Sequence, residues 1–574
     1  MATVSLTINS KRTQAEEGQT VLEVARANGV NIPTLCNRED LTPTGACRLC
    51  VVEVAGARAL AAACALPVAD GMEVRTHSPR VREARETLIK LLLANHPNDC
   101  LVCTRNGTCE LQALASDYGI SERAFEGARR SLAIDVANPS LERDPNKCVL
   151  CGRCVKVCEE MQGVGAIGFA KRGFDTVVAP AFGQTINETV CVLCGQCSLA
   201  CPTGALRERS AIETVWDALG RRGLHTIVQV APAVRASLGE EFGLPPGTLV
   251  TGQMVAALRR VGFSKVFSTN WAADLTVMEE GSELVERVKS GGPLPLLTSC
   301  SPGWVKFIEH FYPQFLPNLS TCKSPQQMFG AIAKSYYAEA TGIDPRSIYV
   351  VSVMPCMAKK FEATRPEMRV DGIPDVDAVL TTRELARMFK MANLEFVDLE
   401  PEEFDLPLGI STGAADIFGA TGGVMEAALR SGYYLVTGKD LSDIELTGVR
   451  GLEGCREAEV DIDGLRLKVA VTCGLSNAKA LLDRVARGED TYHFVEIMAC
   501  PAGCISGGGQ PRPTDRARIA ARARALYEQD RLKPKRLAHQ NPVVLQLYRE
   551  YLGEPLGEKS HHLLHTHYTP REAY

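Results

Sequence analysis

The chain has 574 residues, an apolar fraction of 45% and a formal net charge of −5, enough for about three to five domains with a large core. The weak charge and the absence of a long basic run argue against binding to nucleic acid or anionic membranes. No apolar run reaches the roughly 18 residues of a membrane span, and residues 1–9 lack a secretory signal pattern. A cytoplasmic protein without a membrane span is therefore expected.

The 22 cysteines fall into groups with the short spacings of metal-cluster ligands. Disulfide scaffolds are typical of short secreted chains, whereas this chain is long. Cysteine thiolates are the usual ligands of iron–sulfur clusters. The cysteines therefore predict several iron–sulfur clusters rather than a disulfide framework.

Residues 1–80 predict a small β-grasp-like domain, with a strand at Val4–Asn9 and a helix at Thr20–Asn28 that ends at Gly29. Its cysteines, separated by ten, two and thirteen residues, are Cys36, Cys47, Cys50 and Cys64. These gaps differ from the two short pairs of a zinc ribbon. They favour a 2Fe–2S cluster, with zinc or free thiols as the alternatives.

Residues 81–120 contain a histidine close to three cysteines. His96 lies four residues before the pair Cys100 and Cys103, and Cys109 follows six residues later. This pattern resembles the His-ligated 4Fe–4S module of FeFe hydrogenases and of the large electron-input subunit of respiratory complex I. Zinc bound by one histidine and three cysteines is the alternative.

Residues 139–210 contain the spacing CxxCxxCxxxC twice. In two-cluster bacterial ferredoxins the fourth cysteine of each run ligates the other cluster. One 4Fe–4S cluster is therefore assigned to Cys148, Cys151, Cys154 and Cys201, and the other to Cys158, Cys191, Cys194 and Cys197. The first 210 residues thus predict one 2Fe–2S and three accessory 4Fe–4S clusters, a series suited to electron transfer.

Residues 211–574 alternate apolar, β-branched runs with helical patterns, which predicts an α/β domain. The runs are His225–Val230, Leu294–Leu297, Ile348–Val353, Lys468–Thr472 and His493–Ile497. Several of them end just before a proline or a cysteine. Since ligands collect beyond the carboxyl ends of strands in α/β sheets, we expect these loops to converge on one site.

Three of these loops carry a resemblance to a known family: Thr298–Trp304 (TSCSPGW), Met354–Glu362 (MPCMAKKFE) and Glu496–Pro511 (EIMACPAGCISGGGQP). Together they resemble the signature motifs of iron-only (FeFe) hydrogenases, which oxidise dihydrogen reversibly to protons and electrons. The resemblance covers nearly all of the chain. It implies two α/β lobes, a C-terminal small-subunit-like tail, and a catalytic H-cluster in which a 4Fe–4S cubane joins a two-iron centre with CO, cyanide and a bridging dithiolate.

The resemblance also implies roles for individual residues. Cys356, Cys500 and Cys504 match cubane ligands, with Cys504 at the bridging position. Lys359 matches a lysine that hydrogen-bonds a cyanide ligand. Further positions of the family's cluster pocket are Pro232, Ala233, Gln326, Met354, Phe418 and Met498. A surface lysine and ordinary core methionines are the alternatives, and Ala233 replaces a serine found in some relatives.

A proton path is predicted from four polar residues. Glu280, Glu283 and Arg287 share one helix face because they are three and four residues apart. Spacing alone favours an exposed charged face. By resemblance, however, Glu280, Ser320, Glu283 and Arg287 match the family's relay from cluster to surface.

One position departs from the family pattern, which usually has two adjacent cysteines where this chain has Cys300 and Ser301. Spacing places Ser301 at the usual ligand position and Cys300 at the usual proton-transfer position. Either Cys300 ligates the cubane while Ser301 or water relays protons, or Cys300 relays and serine or another group ligates. The first interpretation is preferred because a cubane requires four strong ligands.

No flavin or nicotinamide motif is visible, and residues 419–423 (GATGG) lack the form of a phosphate loop. The TSCSPGW variant and the complex I-like N-terminus favour the catalytic subunit of an NAD(P)-linked, electron-bifurcating assembly. Its partners would be flavin- and NAD(P)-binding subunits, ferredoxin and maturation proteins. The alternatives are a stand-alone ferredoxin-dependent hydrogenase, an electron-transfer subunit, a hydrogen sensor and a cluster-assembly relative.

Two residue groups stay outside these assignments. Cys322, Cys455 and Cys473 lack cluster spacing and are expected to be buried thiols. The tail histidines could bind metal, but a solvated or interface tail is favoured: His561, His562, His565 and His567.

Overall fold

The computed structural model describes residues 2–452 and 454–572. Its N-terminal part is a mixed five-stranded sheet in the order β2-β1-β5-β3-β4, covered by one helix. The elements are β1 (Thr3–Ile8), β2 (Lys11–Glu16), α1 (Val21–Ala27), β3 (Val51–Val54), β4 (Ala61–Ala62) and β5 (Glu73–Arg75). The predicted helix is present because Thr20 and Glu23 form a capping box at its start.

Small elements form the two cluster regions that follow. They are α2 (Pro79–Asn95), α3 (Glu110–Asp117), β6 (Leu141–Arg143), α4 (Arg153–Lys156), β7 (Gly168–Ala170), β8 (Val177–Ala179), α5 (Gln196–Ala200) and β9 (Leu206–Glu208). The β6–β9 and β7–β8 pairs are antiparallel. Because this region has so little regular structure, its conformation depends mainly on its cysteine-rich loops.

The first α/β lobe is built on a parallel sheet in the order β11-β10-β13-β16. The elements along residues 212–391 are α6 (Ile212–Gly220), β10 (His225–Val230), α7 (Pro232–Arg235), α8 (Thr251–Arg260), β11 (Lys265–Ser268), α9 (Thr269–Ser290), β12 (Leu296–Leu297), α10 (Pro302–Phe311), α11 (Pro325–Ala333), α12 (Tyr336–Thr341), β13 (Ile348–Met354), α13 (Ala358–Glu362), β14 (Arg369–Val370), β15 (Ile373–Pro374), β16 (Ala378–Thr381) and α14 (Thr382–Met391). Strand β12 belongs to the second lobe, so the chain crosses between the lobes more than once.

The second lobe has the strand order β12-β19-β18-β17, in which only the β17–β18 pair is antiparallel. Its elements are α15 (Gly413–Asp416), α16 (Gly423–Thr437), β17 (Cys455–Ile462), β18 (Leu465–Cys473), α17 (Leu475–Ala486) and β19 (Phe494–Met498). The tail adds α18 (Arg516–Leu532), α19 (Pro542–Leu547) and α20 (Glu558–Leu564). In the described part of the chain, no helix is long and apolar enough to cross a membrane.

The ferredoxin-like region packs directly on both α/β lobes. Lys306 Nζ donates to the Cys191 carbonyl at 2.6 Å, and Gln196 Nε2 donates to the Ser506 carbonyl at 2.9 Å. A buried ion pair of 2.7 Å joins Glu208 to Arg383. These contacts hold one predicted cluster site against the signature loops.

Glycine is required where these two regions meet. A Cβ on Gly508 would lie 2.4 Å from the Cys194 carbonyl oxygen and 2.7 Å from Gly195 Cα. Such contacts are too short for carbon, so Gly508→Ala should separate the two backbones or distort the loop. We expect the free energy of unfolding to fall by about 1–3 kcal/mol, measured as a lower thermal midpoint with faster amide hydrogen exchange in residues 139–210.

The matched control is Gly432→Ala on α16, where an added Cβ meets no atom within 4 Å. Alanine in a helix is preferred over glycine by about 0.5–1 kcal/mol, so this variant should keep or raise the midpoint. Equal midpoints for the two variants would contradict the packing argument.

Candidate active site

The loops after β10, β12, β13 and β19 line one cavity. Its wall contains every residue that the sequence assigned to the cluster pocket: Pro232, Ala233, Cys300, Ser301, Gln326, Met354, Cys356, Lys359, Phe418, Met498, Cys500 and Cys504. The strand ends therefore converge as the α/β pattern predicts.

The three signature cysteines share this cavity with a cysteine of the ferredoxin-like region. Burial raises the pKa of the Cys504 thiol to about 12, and it raises the pKa of Cys500 well above its ordinary value. Thiols in such a site ionise only beside a cation, and cluster irons supply that charge. Cys194 lines the same wall, which puts the adjacent predicted cluster next to the cavity.

Gly507 lets two loops of the cavity wall approach each other closely. A Cβ at Gly507 would lie 2.2 Å from the Pro355 carbonyl oxygen, so only glycine lets these two loops approach. The side-chain oxygen Gln326 Oε1 is buried and without a hydrogen-bond partner among the described residues. An iron–sulfur cluster fits this site, because it offers several cysteine thiols as ligands, closely approaching backbone loops and an unpaired polar atom.

Lys359 is a buried cation at the cavity wall, not a surface lysine. Its Nζ donates to Glu362 Oε2 at 2.9 Å, and Glu362 also accepts from Ser324 Oγ at 2.9 Å and Gln326 Nε2 at 3.1 Å. The ammonium is thus paired with an anion, as burial requires. The pairing holds Lys359 at the cavity, where a second anion could also approach it.

The rest of the wall is apolar. Met354 and Met498 end their strands at the cavity, and Phe418 lies beside them. The Phe418 loop is held by Glu496, whose carboxylate accepts from the Gly422 amide at 2.6 Å and the Met425 amide at 2.7 Å. The Glu496 carboxylate therefore occupies the N-terminus of α16, next to GATGG, where a phosphate would have to bind.

Cys300 and Ser301 both line the cavity but face different neighbours. Burial, followed by the proximity of Glu280, raises the pKa of the Cys300 thiol well above its ordinary value. Ser301 Oγ accepts from the Ala499 amide at 3.2 Å. Among the described residues, five cysteines line this wall: Cys194, Cys300, Cys356, Cys500 and Cys504.

The four relay residues form a connected buried path. The Ser320 hydroxyl contacts Glu280 and donates to Glu283 Oε2 at 2.8 Å. Arg287 Nη2 donates to Glu283 Oε1 at 2.6 Å. Burial, helped by Glu283, raises the pKa of Glu280 to about 8. These residues are buried, contrary to the exposed face that spacing alone favours.

Two accessory cysteine groups are also brought together. A second cavity is lined by Cys148, Cys151, Cys154 and Cys201. In the N-terminal domain, Cys36 contacts Cys47 and Cys64, and Cys50 contacts Cys64. Hydrogen bonds from Cys47 and Cys64 lower the pKa of Cys36. Both groups fit the clusters predicted for them.

The environment of His96 suits a metal ligand. Its Nε2 is buried and has no hydrogen-bond partner in the described residues. Burial lowers its pKa, which favours the neutral imidazole that binds metals. Cys100 and Cys103 flank a short turn beyond it, and Cys109 caps α3.

The remaining cysteines and histidines have mixed outcomes. Cys322 and Cys473 are buried as expected, whereas the expectation is wrong for Cys455, which is exposed at the start of β17. His565 is buried, and His561, His562 and His567 are exposed. Across residues 2–452 and 454–572, no three His, Cys, Asp or Glu side chains are arranged to bind a single metal ion.

Sequence reasoning missed several contributors to the site. It did not pair Lys359 with Glu362, although their spacing of three on a helix was a usable signal. It assigned Cys194 to a cluster but not to the cavity wall. The hydrogen bonds that Glu496 accepts from the Gly422 and Met425 amides, and the burial of His565, depend on contacts between distant segments. No local pattern indicates them.

Comparisons with known families agree with this geometry. The model "Iron only hydrogenase large subunit, C-terminal domain" matches residues 224–508, and "Iron hydrogenase small subunit" matches 516–571. The N-terminal matches are "2Fe-2S iron-sulfur cluster binding domain" (1–79), "NADH-ubiquinone oxidoreductase-G iron-sulfur binding region" (85–124) and "4Fe-4S dicluster domain" (147–205). The chain belongs to the iron-only (FeFe) hydrogenases and is an enzyme of that class.

Individual relatives extend over the whole chain. It is 51% identical to the NADP-reducing hydrogenase subunit HndD of Solidesulfovibrio fructosivorans, covering 100% of both chains. It is 42% identical to iron hydrogenase 1 of Clostridium pasteurianum, covering 98% of this chain and 99% of that one. The structure of apo HydA1 from Chlamydomonas reinhardtii, in a variant form, matches 63% of this chain and 100% of its own, with 43% identity and a TM-score of 0.58.

The relay geometry predicts that Glu280→Gln and Glu283→Gln each lower turnover on the order of 10²–10⁴-fold, because an amide cannot take up and release a proton as a carboxyl group does. Hydrogen evolution and uptake assays would measure this, with the infrared bands of the catalytic cluster confirming that it is assembled. Glu286→Gln, exposed on the same helix, is the control. If both variants kept the parental activity, Glu280 and Glu283 would have only a structural role.

The Cys300 and Ser301 alternatives predict different losses. If Cys300 is the fourth ligand, Cys300→Ala should lose the catalytic cubane, whereas Ser301→Ala should retain it and slow proton transfer. Electron paramagnetic resonance and iron content of the purified protein would measure the cubane independently of turnover. A Cys300→Ala protein with an intact cubane and no turnover would show that Cys300 relays protons instead.

Proposed function

We propose that this hydrogenase is the catalytic subunit of an NAD(P)-linked, electron-bifurcating assembly. The observation that carries the proposal is the full-length similarity to HndD, described as a subunit of an NADP-reducing hydrogenase. Flavin- and NAD(P)-binding sites would lie on partner chains, because this sequence contains no nucleotide-binding motif of its own. Ferredoxin is the further partner proposed.

The proposed cofactors are one 2Fe–2S cluster, three accessory 4Fe–4S clusters and the six-iron H-cluster. The H-cluster, when bound, supplies the hydride-accepting chemistry that amino-acid side chains lack. Cys356, Cys500 and Cys504 would hold it, with Cys300 as the preferred fourth ligand. Lys359 would face its anionic ligands, and the two methionines with Phe418 would exclude water from it.

Proton and electron movement are assigned to different sets of residues. Burial raises the pKa of Glu280 to about 8, which favours a protonated carboxyl group that can donate a proton as well as take one up. Ser320 would pass that proton to Glu283. The position of Cys194 in the cavity lining supports electron transfer through the ferredoxin-like clusters.

A second candidate function is a stand-alone hydrogenase that exchanges electrons with ferredoxin alone. The similarity to iron hydrogenase 1, at 42% identity over 98% of this chain, favours it. The two schemes differ in whether this chain works with permanent partner subunits.

We expect the isolated, matured chain to evolve hydrogen from an artificial one-electron donor but not from NADPH or NADH. Purification of the tagged chain from its native host should recover flavin-containing partner chains, and adding them should confer NAD(P)-dependent activity. A matched preparation from a heterologous host that supplies only maturation proteins is the control. Native purification of an active chain without partners or flavin would support the ferredoxin-only alternative.

A further inference from the structure

Arg287 fixes the position of Glu283 but cannot itself pass a proton onward. Its Nη2 donates to Glu283 Oε1 and to the Leu319 carbonyl at 2.8 Å, and its Nη1 donates to the Pro317 carbonyl at 3.1 Å. A guanidinium has no acceptor atom and stays protonated in proteins. The relay therefore needs another group beyond Glu283 that can both accept and donate.

Thr321 is such a group. Its Oγ1 lies 3.4 Å from Glu283 Oε1 and 2.8 Å from His565 Nδ1. A hydroxyl can accept one proton while donating another, and an imidazole can do the same through its two nitrogens. Glu283, Thr321 and His565 thus form a continuous polar path that leaves the helix α9 and enters the C-terminal tail.

The far side of His565 faces a carboxylate. His565 Nε2 lies 3.1 Å from Glu279 Oε2, and Glu279 also accepts from Tyr548 at 2.6 Å and Ser560 at 3.0 Å. Burial alone would raise the pKa of Glu279, but the hydrogen bonds from His565 and Tyr548 lower it. Both ring nitrogens of His565 therefore contact groups that can exchange hydrogen bonds with them.

The path also reaches the surface. His565 follows the last turn of α20 and is itself 8% exposed. The exposed ring of His561, one turn earlier, lies over it with ring centroids 4.3 Å apart. Apart from Glu283, the contacts described for Arg287 are backbone carbonyls, which do not relay protons.

We propose that Thr321 and His565 are proton-relay residues that connect Glu283 to solvent beside His561. The inference rests on the proposed Glu280–Ser320–Glu283 relay and extends it. In the outward direction the Glu283 O–H bond breaks as Thr321 Oγ1 gains a proton, and the original Thr321 hydroxyl proton passes to His565 Nδ1. Because Nδ1 contacts Thr321 and Nε2 contacts Glu279, the imidazolium ring turns outward to release its Nδ1 proton to solvent, and no electron moves. The inward direction reverses these steps.

The test compares Thr321→Val and His565→Gln in the matured enzyme. Each should lower hydrogen turnover on the order of 10²-fold, and Thr321→Ser should restore it. The second readout needs no turnover: under argon in D₂O, the infrared carboxylic-acid band of Glu280 reports how fast its buried proton exchanges. That exchange should slow in both variants. His562→Gln, an exposed histidine on the same helix, should change neither readout.

Parental turnover and parental exchange in Thr321→Val would overturn the inference, provided that Glu280→Gln is inactive. Full activity in Glu280→Gln would instead overturn the underlying relay, so the two failures are distinguishable. If hydrogen exchange shows that His565→Gln loosens Glu558–Leu564, Thr321→Val decides, because valine keeps the shape of threonine and leaves the tail contacts of Glu279 in place.

Discussion

The enclosure of several cysteine thiols in one apolar cavity is the constraint on which this structure depends. Desolvation disfavours thiolates strongly, so the loops around Cys500 and Cys504 need a resident cationic group to be stable with ionised ligands. The fold meets that need by bringing strand ends from two separate sheets to one point. Glycine at positions such as 507 and 508 then removes the side chains that would keep the backbones apart.

Two different sets of residues surround the catalytic cysteines. Cys194 of the ferredoxin-like region lines the same cavity as the signature loops, which suits electron hopping over a short distance. The acids Glu280 and Glu283 are buried on α9 and joined by Ser320. Because different residues form the two proposed routes, each can be tuned separately: cluster potentials by packing and hydrogen bonding, and proton affinity by burial.

The sequence predicted the features that short-range spacing determines. The cysteine runs of the ferredoxin-like region, the helix capped by Thr20, and the strands ending before Cys356 and Cys500 follow from local pattern alone. The α9 acids show the limit of that reasoning, because a three-and-four spacing describes a helix face but not what covers it. The faces of α9 are buried by α11 and α16 and by the tail, and contacts between such distant segments have no signature in the local sequence. The exposed Cys455 was misjudged for the same reason, since β17 is the edge strand of its sheet.

The C-terminal tail is structurally part of the active-site lobe rather than an appendage to it. Glu279, fully buried on α9, receives hydrogen bonds from Tyr548, Ser560 and the Leu556 amide, all of them in the tail. Removing the tail would take away both these donors and part of the cover of this carboxylate, one residue away from Glu280. The small-subunit region that the family model recognises at 516–571 therefore contributes to the charge environment of the proposed proton path. If that path is correct, a change in the tail should alter proton transfer without touching the cavity.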